Sequence, residues 1–273
     1  MSELTDEILN IVAPPQRATL RASAIKVGYL KSMLHMRHYI EHGIDDTPGM
    51  RFGRLVHMAV LEPDKLPAIW TGGRKAGKEY DNWLCEQPDG REQTTSAEWS
   101  DVQACAGSVL ANSRVVELLD GTKREMALFS EVTQYGKASA RLDAWKPGVL
   151  PDLKTTGKID RRSLERTCAG MAYHIQFGWY SWLLDALKLD HLPNCYGIFV
   201  ESKPPYDVAV YPIAKASVMM GIIEAGKIAE KYRACELRRE WPGQQTESEP
   251  IELPEWAYKN TGEDLEAGDL GEL

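Results

Sequence analysis

The stretch Arg141-Leu-Asp143-Ala-Trp-Lys-Pro-Gly-Val-Leu-Pro-Asp152-Leu-Lys154-Thr-Thr156 decides how this chain folds. Two β-type runs, Ala138–Trp145 and Val149–Lys154, flank a Lys146-Pro-Gly148 turn signal. A turn centred between Pro147 and Gly148 sets Asp143 opposite Asp152 on paired antiparallel strands. Side chains alternate along a strand, so Arg141 joins Asp143, and Lys154 joins Asp152, on one shared face. Two facing carboxylates with an ammonium beside them form a hard-oxygen pocket for Mg²⁺ or Mn²⁺. Without a cation between them the carboxylates would repel. In such a pocket the lysine orients a water or helps to deprotonate it. A bulge at Pro151 would slip this register by one residue. Acid-x-Lys alone is a common tripeptide and also describes a solvated hairpin of Asp–Lys pairs.

Working outward, the flanking sequence alternates between helical and strand periodicity. Upstream, Leu20–His42 reads as one helix stopped by Gly43, and Phe52–Leu61 as a second, closed by Glu62-Pro63. Residues 64–95 are loop-like with a short helix at Lys78–Glu86, and Thr95 or Ser96 caps a helix to about Leu119. A strand at Met126–Thr133 precedes the central stretch. Downstream come a long helix over Ser163–Leu187, strands at Cys195–Glu201 and Asp207–Pro212, and a helix over Lys215–Arg239. This order predicts one α/β domain, residues 19–260, with a central mixed sheet flanked by helices. Residues 1–18, with Pro14-Pro15, read as an N-terminal arm. Residues 261–273, with five acids and no base, read as a disordered acidic tail.

Composition narrows the function classes. At 273 residues, 43% apolar and 26% charged, the chain can bury a proper core and is not a disordered sequence. It has no apolar run of membrane-spanning length, and its start, MSELTDEILN, is acidic and unlike a secretory leader. The five cysteines (Cys85, Cys105, Cys168, Cys195, Cys235) are scattered, so neither a disulfide framework nor a zinc or iron–sulfur knuckle is readable, and a cytoplasmic setting is expected. The net charge of −8 argues against a nucleic-acid partner only until it is located. Residues 245–273 hold nine acids and the single base Lys259, so residues 1–244 are electrically neutral. A neutral body leaves room for a local basic groove.

Other side chains compete for chemical roles. His57 lies mid-way along an otherwise apolar helix, where a buried imidazole needs a partner. It is either a hydrogen-bonded core histidine or a third ligand beside the carboxylates. His35, His38 and His42 form a helical stripe that could bind zinc, or simply a half-exposed face. Gln176 and Tyr180, with Tyr173, share a face of the long helix and on their own read as ordinary interfacial packing. If Tyr135-Gly136 is a two-residue turn, Glu131 points away from Asp143 and ranks below the aspartates. Arg21, Lys26, Lys31, Arg51, Arg54, Arg74, Lys75, Lys78, Lys158, Arg161, Arg162 and Arg166 flank these motifs. They read either as solvated charges or as groups tracking a phosphate backbone.

Taken together, these segments resemble the exonuclease domain of RecE-type proteins (exodeoxyribonuclease VIII), within the PD-(D/E)XK nuclease superfamily. The resemblance rests on Phe52-Gly53 through His57 to Leu61-Glu62-Pro63, Arg141-Leu-Asp143, Asp152-Leu-Lys154-Thr-Thr, and Tyr173-His-Ile-Gln176 with Tyr180. Leu253-Pro-Glu-Trp-Ala adds a weaker match, and the order is kept over residues 20–258. The resemblance implies an αβββαβ core. His57, Asp143, Asp152 and the Leu153 carbonyl would be metal ligands for Mg²⁺, with Mn²⁺ as substitute. Lys154 would be the catalytic lysine, and Gln176 and Tyr180 would line the site. It further implies 5′→3′ degradation of linear duplex DNA to leave 3′ single strands, a ring-shaped homo-oligomer, and a RecT-like single-strand annealing partner in phage-type recombination. Arg21, Ser23, Lys26, Lys31, Arg54, Arg161 and Arg162 are the expected DNA contacts. The iron–sulfur branch of these nucleases needs four clustered cysteines, which this chain lacks. A nicking or structure-specific endonuclease, and a non-catalytic DNA-end-binding scaffold, are the competing readings.

Overall fold

The structure, a computed structural model, describes residues 18–88, 91–244 and 252. The expected arm (apart from Ala18), the acidic tail 261–273 and Leu253-Pro-Glu-Trp-Ala lie outside the described residues. Among those described, the strands are β1 (Leu20–Arg21), β2 (Ala68–Trp70), β3 (Gln93–Thr95), β4 (Lys123–Ser130), β5 (Ala138–Trp145), β6 (Val149–Thr156), β7 (Asn194–Glu201) and β8 (Val208–Pro212). The helices are α1 (Ala22–Leu30), α2 (Met33–His42), α3 (Pro48–Leu61), α4 (Lys78–Cys85), α5 (Ser96–Ala111), α6 (Ser113–Leu119), α7 (Arg161–Gly170), α8 (Tyr173–Ala186) and α9 (Lys215–Arg238). Among the described residues, no helix is long and apolar enough to cross a membrane.

Local chemistry sets these boundaries. Three stretches expected as single helices are each broken in two. Leu20–His42 breaks at Lys31-Ser32, where the Ser32 side chain accepts from the His35 N–H and starts α2 afresh. The break turns Met33 and Met36 onto Gly28, whose missing Cβ leaves them room. The 96–119 helix breaks at Asn112, whose carboxamide oxygen accepts from the Arg114 and Val115 N–H groups. The 163–187 helix breaks at Met171-Ala172, with Ala172 in the left-handed region at φ 49°. The Thr95 cap is realised as a full capping box with Glu98. Helix α3 starts four residues before the sequence suggested, because Thr47 caps it and Pro48 fits its first turn.

The expected single sheet is realised as two three-stranded sheets, β1-β5-β4 and β6-β7-β8. In the first, β4 and β5 are antiparallel and β1 is parallel to β5; in the second, β6 and β7 are parallel and β8 is antiparallel. The α7–α8 crossover makes the parallel pairing possible. Between the sheets, β5 and β6 begin the expected hairpin with a bridge at Lys146 and Val149. In that register Asp143 does stand opposite Asp152, yet the ladder stops there. Pro151 has no N–H to continue it. The next inward N–H, that of Leu153, donates instead to the Asp143 carboxylate at 2.7 Å. Pro151 does not bulge β6 against β7, where the register runs unbroken from Val149 to Thr156.

A second expectation fails at the β4–β5 hairpin. The two-residue turn is Gln134-Tyr135, closed by paired bonds between Thr133 and Gly136, rather than Tyr135-Gly136. With a one-residue offset beyond the turn, Leu128 pairs with Ala140 and Met126 with Leu142. Glu131 therefore falls in the exposed loop past the end of β4, and Glu125 takes the place across from Asp143.

Apolar side chains pack in two clusters. Leu20, Ile25, Met36, Leu142, Phe177, Trp179 and Phe199 lie with α1, α2, α8 and α9 in one. Leu55, Val56, Val60, Trp99, Val102, Leu153, Ile198 and Val200 lie with α3 and α5 in the other. Alternation along β7, with Cys195 and Phe199 in the first cluster and Ile198 and Val200 in the second, shows a sheet buried on both faces. Helix α8 is buried along nearly its whole length and meets α9 backbone to backbone. A Cβ on Gly221 would lie 1.8 Å from the His174 carbonyl oxygen, and one on Gly178 would lie 2.2 Å from the Gly221 carbonyl carbon.

Candidate metal centre and active-site cleft

The interrupted β5–β6 hairpin opens onto a cleft of about 1080 Å³. Its walls include His57 and Arg54 of α3, Glu62, Glu125 of β4, Arg141 and Asp143 of β5, and Thr155 and Thr156 of β6. Gly53 lets α3 lie against β6, since a Cβ there would come within 3.1 Å of the Thr155 hydroxyl. One turn further along α3, His57 reaches Asp143, with Nδ1 and Oδ2 3.6 Å apart. Burial, and then the Lys154 charge, lower the His57 pKa, so the ring is neutral and has a lone pair to offer.

Glu125 completes the group. One ligand atom each from His57, Glu125 and Asp143 lie within 4.8 Å of one another. Glu125 sits at φ 48°, a left-handed conformation that non-glycine residues rarely adopt and that turns its side chain toward Asp143. Arg141 Nε donates to Glu125 Oε2 at 2.5 Å. Burial first, then the Asp152 and Glu125 charges, raise the Asp143 carboxyl well above the usual range, against the pull of Lys154 and the Leu153 N–H. Such crowding of carboxylates is relieved by a divalent cation, and one imidazole with hard oxygens suits Mg²⁺ or Mn²⁺.

Asp152, 1% exposed, is held from the α8 side. Gln176 Nε2 donates to its Oδ1 at 2.8 Å. The Lys154 ammonium rests against the buried Oδ2, which receives no well-directed hydrogen bond. Lys154 Nζ also donates to the Leu153 carbonyl at 3.3 Å. Burial works against the Lys154 charge, but Asp152 and Asp143 outweigh it and hold the ammonium protonated far above neutral pH. Burial, with the Asp152 and Asp143 charges, raises the Tyr180 hydroxyl, which stays neutral. All the expected site residues, His57, Asp143, Asp152, Leu153, Lys154, Gln176 and Tyr180, thus converge on one locus. Asp152 engages Gln176 and Lys154, while the His57–Asp143 pair gains Glu125.

The expected DNA contacts divide. Lys26 faces the centre: its ammonium lies 5.0 Å from the Tyr173 ring centroid, with Lys154 5.5 Å from the same centroid. Burial and Lys154 lower its pKa to about 8. Arg54 lines the cleft, paired with Asp46 and Glu92. Arg21, Ser23, Lys31, Arg161 and Arg162 are exposed and do not line it. Arg21 stacks over Tyr39, and Arg161 pairs with Glu165. The histidine stripe brings no third ligand together among the described residues: His35 faces the Ser32 hydroxyl and His38 packs on His42. All five cysteines are free. The residue that sequence reasoning missed is Glu125; its only signal was the true position of the β4–β5 turn.

A carboxylate–lysine pair at an interrupted hairpin, with a histidine from α3 and a third carboxylate, presents donors that could hold a divalent metal on an α/β fold. The chain belongs to the PDDEXK-like domain family of unknown function DUF3799, which its residues 29–254 match. The fold is similar to the crystal structure of a candidate exonuclease from Eubacterium rectale, with a TM-score of 0.58 at 11% identity over 86% of this chain and 91% of that one. A phage-related exonuclease from Haemophilus somnus 129PT aligns over 81% of this chain and 96% of its own at 14% identity, with a TM-score of 0.37. No curated protein matches the sequence.

Proposed function

We propose that this protein is a divalent-metal-dependent exonuclease acting on linear double-stranded DNA in the 5′→3′ direction, leaving 3′ single strands. The observation that carries the reading is the convergence of His57, Glu125 and Asp143 beside the Asp152–Lys154 pair, at an open cleft. A divalent cation, Mg²⁺ by the donor set, supplies charge neutralisation and Lewis acidity at the scissile phosphate when bound. His57 and Asp143 offer the nitrogen and oxygen that would hold it, with Glu125 beside them and Asp152 and the Leu153 carbonyl as further donors. Lys154, kept charged by its aspartates, acts as a fixed donor that orients the attacking water and offsets the phosphate charge. Gln176 keeps Asp152 from rotating, and Tyr180 presents a neutral hydroxyl from the buried wall. Nothing in the cleft resembles a base-reading helix, so recognition is of backbone and shape. The expected setting is a ring-shaped homo-oligomer supplying 3′ strands to an annealing protein in phage-type recombination.

The test is digestion of a linear duplex labelled separately at each 5′ and 3′ end, with Mg²⁺ and with chelator. Loss of 5′ label first, and none with chelator, is the expected result. Release of 3′ label first would reverse the polarity. Supercoiled closed-circular DNA separates the endonuclease reading, because only an endonuclease opens it.

A further inference from the structure

Among the described residues, Arg141 is the one basic residue lining the cleft whose main partner belongs to the metal-ligand cluster. Arg54 is clamped by Asp46 and Glu92, Lys65 by Glu62, and Arg91 by the Leu66 and Pro67 carbonyls. A cation at His57 and Asp143 touches none of those pairings. Arg141, by contrast, bonds Glu125 at 2.5 Å and otherwise lies only 3.9 Å from Glu62, with 62% of its side chain exposed. Glu125 cannot serve both cations fully, since a divalent ion drawing on its carboxylate weakens its hold on the guanidinium and repels it.

We propose that Glu125 is an exchangeable ligand: Arg141 holds it in the metal-free protein, and a divalent ion displaces Arg141, whose freed guanidinium then grips a phosphate of the incoming duplex. Arg141 is thus a substrate-positioning residue armed by the metal. Its planar fork of donors suits a phosphate better than any lysine in the cleft. Linkage makes the effect reciprocal, so DNA must also tighten metal binding. The inference rests on the cleft being the metal-dependent nuclease site.

The test measures binding rather than turnover, using fluorescence anisotropy of a blunt labelled duplex with and without Ca²⁺, and calorimetric Mn²⁺ titration without DNA. In the unaltered chain Ca²⁺ should tighten duplex binding roughly tenfold. Arg141→Gln should abolish most of that gain while strengthening Mn²⁺ binding, because the competitor for Glu125 is gone. Glu125→Gln should tighten metal-free duplex binding several-fold, and the double variant should lose that tightening. Tightening that persists in the double variant is a bulk charge effect and overturns the exchange. A Ca²⁺ gain that survives in Arg141→Gln overturns the exchange alone. No Ca²⁺ gain in an unaltered chain that still binds Mn²⁺ overturns the exchange alone, and no Mn²⁺ binding at all overturns the metal-centre reading with it.

Discussion

Asp143 is the residue on which the electrostatics of the cleft converge. Its carboxyl is raised by burial and by Asp152, so the folded chain holds a proton that the unfolded chain has already released. Between those two pKa values the folded state binds more protons, and metal-free stability falls as pH rises. Melting temperature followed against pH should therefore show a downward component through and above the ordinary carboxylate range that Asp143→Asn removes, since the amide oxygen still accepts from Leu153. Mn²⁺ should stabilise the unaltered chain more as pH rises, because binding requires the deprotonated carboxylate. At the same scale, Lys154→Ala and Asp152→Asn should each lower cleavage of end-labelled duplex by about a hundredfold or more. Substantial activity in both variants would remove the proposed centre.

At the scale of elements, the site depends on α8 lying where Gln176 and Tyr180 can reach β6. That position is set by the glycine contact between α8 and α9, where no side chain fits. Gly221→Ala should cost about 3 kcal/mol by overpacking, read as a lowered melting temperature. Activity measured well below that melting point should fall too, because α8 must move to relieve the clash with the His174 carbonyl. A smaller element effect is expected at the α5 capping box, where Thr95→Ala should cost about 1 kcal/mol and leave cleavage unchanged. Periodicity showed that these helices exist but not where they break. Ser32, Asn112 and Ala172 interrupt stretches whose apolar spacing continues across the break, and packing against Gly28 and the sheets, rather than propensity, decides the geometry there.

For the molecule as a whole, charge is segregated along the chain. Residues 1–244 are neutral and contain the cleft, and residues 245–273 carry the net −8. Duplex affinity should therefore fall with salt, with a slope set by the few phosphate contacts of the cleft rather than by overall charge. Deleting residues 261–273 should tighten duplex binding at low ionic strength and have little effect at high salt. Equal affinity at low salt would make the segment a solubilising extension and no more.

Apart from the short strands β1, β2 and β3, which it did not show, the sequence by itself determined the α/β class, the order of the remaining strands and helical stretches, and the placing of Asp143 opposite Asp152 with Lys154 on the same face. These follow from nearest-neighbour rules: alternation along a strand, Pro-Gly at a turn, and apolar spacing along a helix. It also picked out His57, because a polar side chain amid apolar helical positions needs a partner, whereas Gln176 and Tyr180 were placed at the site only by the family resemblance. Only the tertiary structure decided that β5 and β6 part after one bridge, that Glu125 stands across from Asp143 and pairs there with Arg141, and that Lys26 comes to the centre while Arg21 and Lys31 do not. Each of these turns on a register or an approach between elements distant in the chain. A one-residue offset past the Gln134-Tyr135 turn, and a proline with no N–H to give, are small local facts. Their consequences appear only when whole strands are laid side by side.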